Sequence, residues 1–223
     1  LNISSLEQLN LEGNNIGDVG AIELFGSLKT NTYLKKLNLS KNKLTNACTP
    51  ALSEMLMKND TLEELYLYMN VIQSEGAITL FNGLKKNNSI RVLDLSWNTI
   101  GANERGLGKA FFELFSTNNS LVHCDFSFNK ISYQTTEQAA KGLEENHTIY
   151  GLHWLGNEGY IDTEGFLIPS KRFGPEYITL HPTISKPRID GFKCVINPKH
   201  YDKATPKENC WIDRKSTRLN SSH

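Results

Sequence analysis

The stretch LEELYLYMNVI at residues 62–72 decides the fold, because copies of it recur along the 223-residue chain. Each copy follows the pattern L-x-x-L-x-L-x-x-N-x-I/L, with other apolar residues at some leucine positions and an incomplete last copy. The copies start at six residues: Leu6, Leu34, Leu62, Ile90, Leu121 and Ile149. Successive starts lie 28, 28, 28, 31 and 28 residues apart. A period this regular indicates an array of stacked structural repeats.

The first half of each copy has the spacing of a short strand. In residues 62–72, Leu65 and Leu67 are two positions apart, so they fall on one face of an extended segment. The amide of the following Asn70 both donates and accepts hydrogen bonds. Because it lies where backbone groups of neighbouring coils need partners, we expect the repeated Asn residues to form a ladder between coils.

The second half of each copy has helical spacing. In the first copy we expect Ile22, Leu24 and Leu28 to face inward, and in the third copy Leu80 and Leu84. One strand–helix unit exposes its apolar face when alone and buries it only against neighbouring units, which is why such repeats stack.

The pattern N-N-I-G-x-x-G-A-x-x-L at residues 14–24, together with the 28-residue spacing, resembles the ribonuclease-inhibitor class of leucine-rich repeats. The resemblance covers residues 1–157 and about six repeats. It implies an α/β fold: a right-handed, horseshoe-shaped solenoid with parallel strands on the concave face and helices on the convex face. It indicates little about function, because proteins of different functions share this array.

The repeat pattern stops near residue 158. Residues 158–212 hold six of the seven prolines, which exclude long helices there, and several aromatic residues, which argue against plain disorder. We expect this irregular extension to cap the last coil. Residues 213–223, DRKSTRLNSSH, match one reading frame of a sequencing adapter, so we interpret this tail as an artefact. The chain does not begin with Met, and we expect it to be part of a longer protein.

Charge and composition argue against several partner classes. Lys and Arg total 24, as do Asp and Glu, so no bulk charge favours nucleic acid. No apolar run approaches the roughly 18 residues of a membrane-spanning helix, and the first residues do not resemble a signal peptide. The four cysteines form no CxxC pair and no dense disulfide pattern. The sequence predicts a monomeric protein in the reducing cytoplasm.

The outward residues of neighbouring strands, about 4.8 Å apart, should form one continuous surface. Its centre is rich in aromatic side chains and Met, as in protein-binding hot spots, and acidic residues around them would orient a basic partner. The predicted partner-binding residues are Glu64, Tyr66, Tyr68, Met69, Asp94, Trp97, His123, Asp125 and Phe128. The alternative is that residues 158–212 fold back and cover these side chains.

Catalysis and metal binding have weak support in the sequence. His123 and Asp125 resemble a base–acid pair, but Cys124 between them should point the opposite way, so no nucleophile is placed beside them. Cys194, His200 and Cys210 have spacings of six and ten, which fit no common zinc pattern. No phosphate-binding G-x-x-x-x-G-K-S/T loop occurs. We expect no enzyme activity, no metal and no cofactor.

The sequence therefore predicts a non-enzymatic scaffold or interaction module that binds a protein partner on its concave face. The alternative is a GTPase-activating protein similar to the Ran regulator, because Arg105 lies in the three-residue insertion of the fourth repeat. Ribonuclease inhibition fits less well, since the array is short and the net charge is close to zero.

Overall fold

The computed structural model describes residues 5–144, 146–162, 165–171 and 195–196. Strands and helices alternate through the repeats. The helices are α1 (Gly17–Leu28), α2 (Thr49–Lys58), α3 (Ser74–Leu84), α4 (Leu107–Thr117) and α5 (Tyr133–Leu143). The strands are β1 (Gln8–Asn10), β2 (Lys36–Asn38), β3 (Glu64–Tyr66), β4 (Val92–Asp94), β5 (His123–Asp125), β6 (Gly151–His153), β7 (Gly159–Ile161), β8 (Leu167–Pro169) and β9 (Val195–Ile196).

Strands β1 to β6 form one sheet in chain order, and each pairs in parallel with the next. Their register reproduces the repeat alignment, as in the row Gln8, Lys36, Glu64, Val92, His123 and Gly151. Parallel strands need a crossover, and α1 to α5 supply it in each repeat. This arrangement confirms the predicted α/β leucine-rich solenoid.

The core lies between the sheet and the helices. The predicted inward pairs of strands β2 to β6 are buried, including Leu65 and Leu67, which have no exposed surface. In helix α3, Leu80 and Leu84 are buried as predicted. The prediction for α1 was wrong in part, because Ile22 is 38% exposed and the buried face consists of Ala21, Phe25 and Leu28.

Asparagine side chains link the coils at both ends of the strands. At the carboxyl end, the Asn98 amide nitrogen donates to the carbonyl oxygens of Leu67 and Leu95, and its oxygen accepts from the backbone N–H of Ile72, each at 3.0 Å. Equivalent bonds join the other coils and confirm the predicted ladder, whose members are Asn42, Asn70, Asn98, Asn129 and Asn157.

A second ladder precedes the strands. The Asn87 amide nitrogen donates to the carbonyl oxygens of Leu56 and Asn59, both at 2.9 Å, and its oxygen accepts from the backbone N–H of Ile90 at 2.8 Å. The equivalent residues are all buried: Asn59, Asn87, Asn118 and Asn146. These four begin N-x-S/T triplets, so interior hydrogen bonding explains the recurrence of that motif without glycosylation.

Neighbouring helices approach closely because glycines lie at their contacts. A Cβ atom on Gly83 of α3 would lie 2.8 Å from the backbone oxygen of Ser53 in α2. A Cβ atom on Gly142 of α5 would lie 2.8 Å from the backbone oxygen of Phe112 in α4. Any larger side chain at these positions would push the helices apart.

The hairpin formed by β7 and β8 packs beside α5, after the last parallel strand of the array. Its Ile161 and Leu167 join the hydrophobic core, and the Trp154 indole N–H donates to the Thr136 hydroxyl at 3.1 Å. Strand β9 pairs antiparallel with β6. The remainder of the predicted extension lies outside the described residues. Within the described ranges, no helix is long and apolar enough to cross a membrane.

Candidate partner-binding surface

Three large side chains follow the central strands at one repeat position, three residues beyond each strand end. They are Met69 after β3, Trp97 after β4 and Phe128 after β5, and together we name them the apolar ridge. Since the strands are adjacent and in register, the ridge crosses three neighbouring coils at the edge where the strands turn toward the helices.

The backbone of the ridge is left-handed. The φ angles are 56° at Met69, 54° at Trp97 and 58° at Phe128, and the same position is also left-handed in the other coils, at Gly13, Lys41 and Gly156. A side chain in this conformation costs roughly 1–2 kcal/mol relative to the right-handed region. Because the described coils share this turn, the conformation belongs to the fold, and the large apolar side chains are what distinguish the three central coils.

The ridge exposes much of its apolar surface. Met69 is 46% and Trp97 is 44% exposed. The rings of Trp97 and Phe128 stack with centroids 4.3 Å apart and planes inclined by 26°. The Phe128 ring lies over Gly156, where a Cβ atom would fall 2.5 Å from its Cδ1. Beside the ridge, the half-buried Tyr68 ring lies under Lys41, whose Nζ is 5.4 Å from its centroid.

Tyr66 does not belong to this exposed group. It is only 4% exposed, and its hydroxyl donates to Glu64 at 2.7 Å. Lys36 forms a salt bridge of 2.8 Å with the same carboxylate and lies 5.0 Å from the Tyr66 ring centroid. Burial, with the bond to Glu64, raises the pKa of Tyr66, which therefore stays protonated and donates. The expectation of an exposed Tyr66 anchor was wrong, because side chains of two strands enclose it.

The acidic residues that were predicted to surround the aromatic side chains also make bonds within the chain. Asp94 is buried and accepts from the backbone N–H of Ser96 at 3.0 Å and from its hydroxyl at 2.6 Å. Asp125 accepts from the backbone N–H of Ser127 at 2.8 Å. Asn10 and Asn38 accept the same bond from the backbone N–H groups of Glu12 and Ser40, so an Asn or Asp at this repeat position stabilises the turn after its strand. A role of Asp94 and Asp125 in partner binding stays a prediction.

His123 is buried, and its ring centroid lies 4.9 Å from that of His153. Cys124 points into the core with no exposed surface, and burial raises its pKa above the ordinary range. The thiol therefore cannot act as a nucleophile beside His123. The metal alternative at Cys194, His200 and Cys210 lies outside the described residues, and the residues that the structure describes contain no cluster of three metal-binding side chains.

A family model for leucine-rich repeats matches residues 2–25, 30–47, 58–81 and 86–103. One match contains the strand of each of the first four repeats seen in the structure. The chain is a leucine-rich-repeat protein. Its assignment to the ribonuclease-inhibitor class stays a prediction. No curated protein matches the chain.

Among the solved structures that match this chain, two illustrate the shared leucine-rich-repeat fold. Actin-binding site 2 of leiomodin-1 aligns with a TM-score of 0.51 and 21% identity, over 62% of this chain and 79% of that one. The tropomodulin C-terminal domain of Caenorhabditis elegans aligns with a TM-score of 0.55 and 15% identity, over 64% of this chain and 85% of that one. At these identities the likeness shows the fold alone.

Sequence reasoning missed two lysines beside the ridge of this leucine-rich-repeat protein. Lys43 and Lys130 are exposed, with φ angles of 61° and 58°, two residues after the ridge position of their coils. In the repeat alignment these two lysines share a column with Asn15, whose φ is 53°. Asn adopts positive φ more readily than other non-glycine residues, so this column was the available signal of a left-handed turn position.

Proposed function

We propose that this leucine-rich-repeat protein is a non-enzymatic interaction module that holds a protein partner on its parallel sheet, with the apolar ridge as the main anchor. The observation that carries the proposal is the stacked Trp97–Phe128 pair, in which Trp97 stays 44% exposed and Phe128 is half-buried beside it. Aromatic anchors of this kind cost about 2 kcal/mol or more of binding free energy when truncated.

The fold supports the same function. Stacked coils present a broad surface that consists of side chains from several repeats, and solenoids use such surfaces for binding. The structural neighbour from leiomodin-1 is itself described as an actin-binding site. We propose a protein partner for this chain by that analogy, and its identity is not part of the proposal.

Affinity capture from the source cell's lysate tests the proposal. The bait is the full chain, compared with a Trp97→Gly/Phe128→Gly variant. Glycine is chosen because it adopts positive φ without strain, so the variant removes the rings and keeps the backbone. Val19→Ala, on the exposed face of α1, is the matched control.

We expect a specific captured protein to be lost with the ridge variant and retained with the control. Equal capture by both variants would refute the ridge as the anchor. Far-UV circular dichroism of both variants separates a loss of binding from a loss of folding.

The GTPase-activating alternative depends on Arg105. It lies exposed between β4 and α4 and forms no salt bridge with any residue that the structure describes. An arginine placed in this way is available to stabilise charge on a transferring phosphoryl group. Stimulated GTP hydrolysis by a small GTPase that falls with Arg105→Ala would support this function, and unchanged stimulation would exclude arginine-based catalysis.

A further inference from the structure

The spacing of the apolar ridge discriminates between peptide conformations. Neighbouring coils are about 4.8 Å apart, and Trp97 and Phe128 lie at a matching centroid distance of 4.3 Å. One helical turn advances 5.4 Å, so the side chains on one face of a helix that lies along the array fall out of step with the ridge residues by only about 1 Å over the ridge's two intervals. In an extended peptide, residues on one face lie about 6.7 Å apart, so they fall out of step with the ridge residues by about 4 Å over the same two intervals. A helix therefore matches the ridge better.

The left-handed backbone supports a dedicated surface. In the coils of β3 to β5, large apolar side chains occupy a left-handed position that holds glycine in the coils of β1 and β6 and Lys41 in the coil of β2. Glycine would adopt this conformation without strain, and packing does not account for the large side chains of Met69 and Trp97, which stay nearly half exposed.

The charges beside the ridge favour an acidic partner. Lys43 and Lys130 are exposed and form no salt bridge with a described residue. Two acids at the same edge are held within the chain. Glu12 pairs with Lys41 at 2.8 Å, and Glu104 accepts from the backbone N–H of Ser132 at 2.7 Å.

The acids of the sheet face are equally occupied. Asp94 is buried and bonded to Ser96, and Glu64 is bonded to Lys36 and Tyr66. A basic partner would have to break these contacts, whereas an acidic partner needs only the two exposed lysines. Charge complementarity at an interface sets partner choice in this way.

We propose that the ridge binds an amphipathic α-helix of the partner that lies along the array. Its apolar residues at i, i+4 and i+7 contact Met69, Trp97 and Phe128 in turn. Its acidic residues meet Lys43 and Lys130, which are three coil spacings apart, or roughly 14 Å, the length of nine or ten helical residues. This inference rests on the proposed protein-binding function and names the class of partner.

The test is selection from a displayed library, with the full chain as bait. The library holds peptides of about 18 residues, roughly five helical turns, with either helical or alternating apolar spacing and randomised remaining positions. We expect enrichment of helically spaced peptides that carry Asp or Glu on the side facing the lysines. An enriched peptide should bind the Trp97→Gly/Phe128→Gly variant at least about tenfold more weakly and the Val19→Ala control equally well.

Charge reversal supplies the second arm. With a Lys43→Glu/Lys130→Glu bait, selection should shift from acidic to basic peptides, and the binding of the acidic peptides to the original chain should weaken as salt increases. The proposal is overturned by enrichment of alternating peptides, by a charge preference that the reversal leaves unchanged, or by no enrichment at all. If lysate capture still depends on the ridge, the binding function survives that failure and only the partner class is refuted.

Discussion

Removal of one ladder asparagine should destabilise the whole array. Asn98 is buried, and Asn98→Ala removes the bonds to the carbonyl oxygens of Leu67 and Leu95 and from the N–H of Ile72, each 3.0 Å long. Each lost bond costs about 1 kcal/mol, and more where a buried partner is left unpaired. We therefore expect the free energy of unfolding to fall by about 3–5 kcal/mol, a large share of the total for a typical domain.

Asn14 is the matched control, because it occupies the same repeat position at the exposed end of the ladder. Among the residues that the structure describes, its side chain makes a single bond, from the amide nitrogen to the carbonyl oxygen of Glu12 at 3.2 Å. Asn14→Ala should therefore lower the free energy of unfolding by less than about 1 kcal/mol.

Urea unfolding followed by far-UV circular dichroism measures both variants, and the slope with urea reports whether the same surface unfolds. If Asn98→Ala lowers the free energy of unfolding no more than Asn14→Ala does, the ladder is not what holds the coils together. A separate early transition in Asn98→Ala would instead show that the array unfolds in parts.

Three further predictions concern single positions. Trp97→Gly should leave the free energy of unfolding within about 1 kcal/mol, because relief of the left-handed strain offsets the lost ring stacking; a larger loss in urea unfolding would make the ring a packing residue. Gly142→Ala should lower the melting temperature, because the new Cβ atom would lie 2.8 Å from a backbone oxygen of α4. The control is Gly26→Ala, whose Cβ atom would meet no atom within 4 Å, and it should leave the melting temperature unchanged or raise it. The two buried thiols, Cys48 and Cys124, should resist alkylation by iodoacetamide at about pH 8 until the protein is unfolded. Burial raises the pKa of Cys48 to about 12, so it carries almost no thiolate at that pH. Peptide mass spectrometry that finds either thiol alkylated in the native protein would contradict this.

Most of the fold could be predicted from the sequence, because the strand and helix spacings of each repeat are properties of short segments. Leu65 and Leu67 are two positions apart, and this spacing alone put them on the inner face where the structure buries them. The ladder was predictable too, because an amide recurring every 28 residues meets the same backbone groups in every coil. The buried face of helix α1 was harder to predict, because apolar residues lie all around this helix. Its periodicity did not single out the face of Ala21, Phe25 and Leu28.

The candidate surface required the tertiary structure. Alternation put Tyr66 on the outward face, but its burial depends on Lys36, which is 30 residues away in sequence and adjacent in the sheet. The sequence likewise contained Met69, Trp97 and Phe128, yet their left-handed backbone and the Trp97–Phe128 stack exist only once the coils are in register. The sequence by itself determined which residues face inward, because strand and helix periods are properties of short segments. The tertiary structure decided which outward residues stay exposed, because exposure depends on side chains that the chain brings together from different repeats.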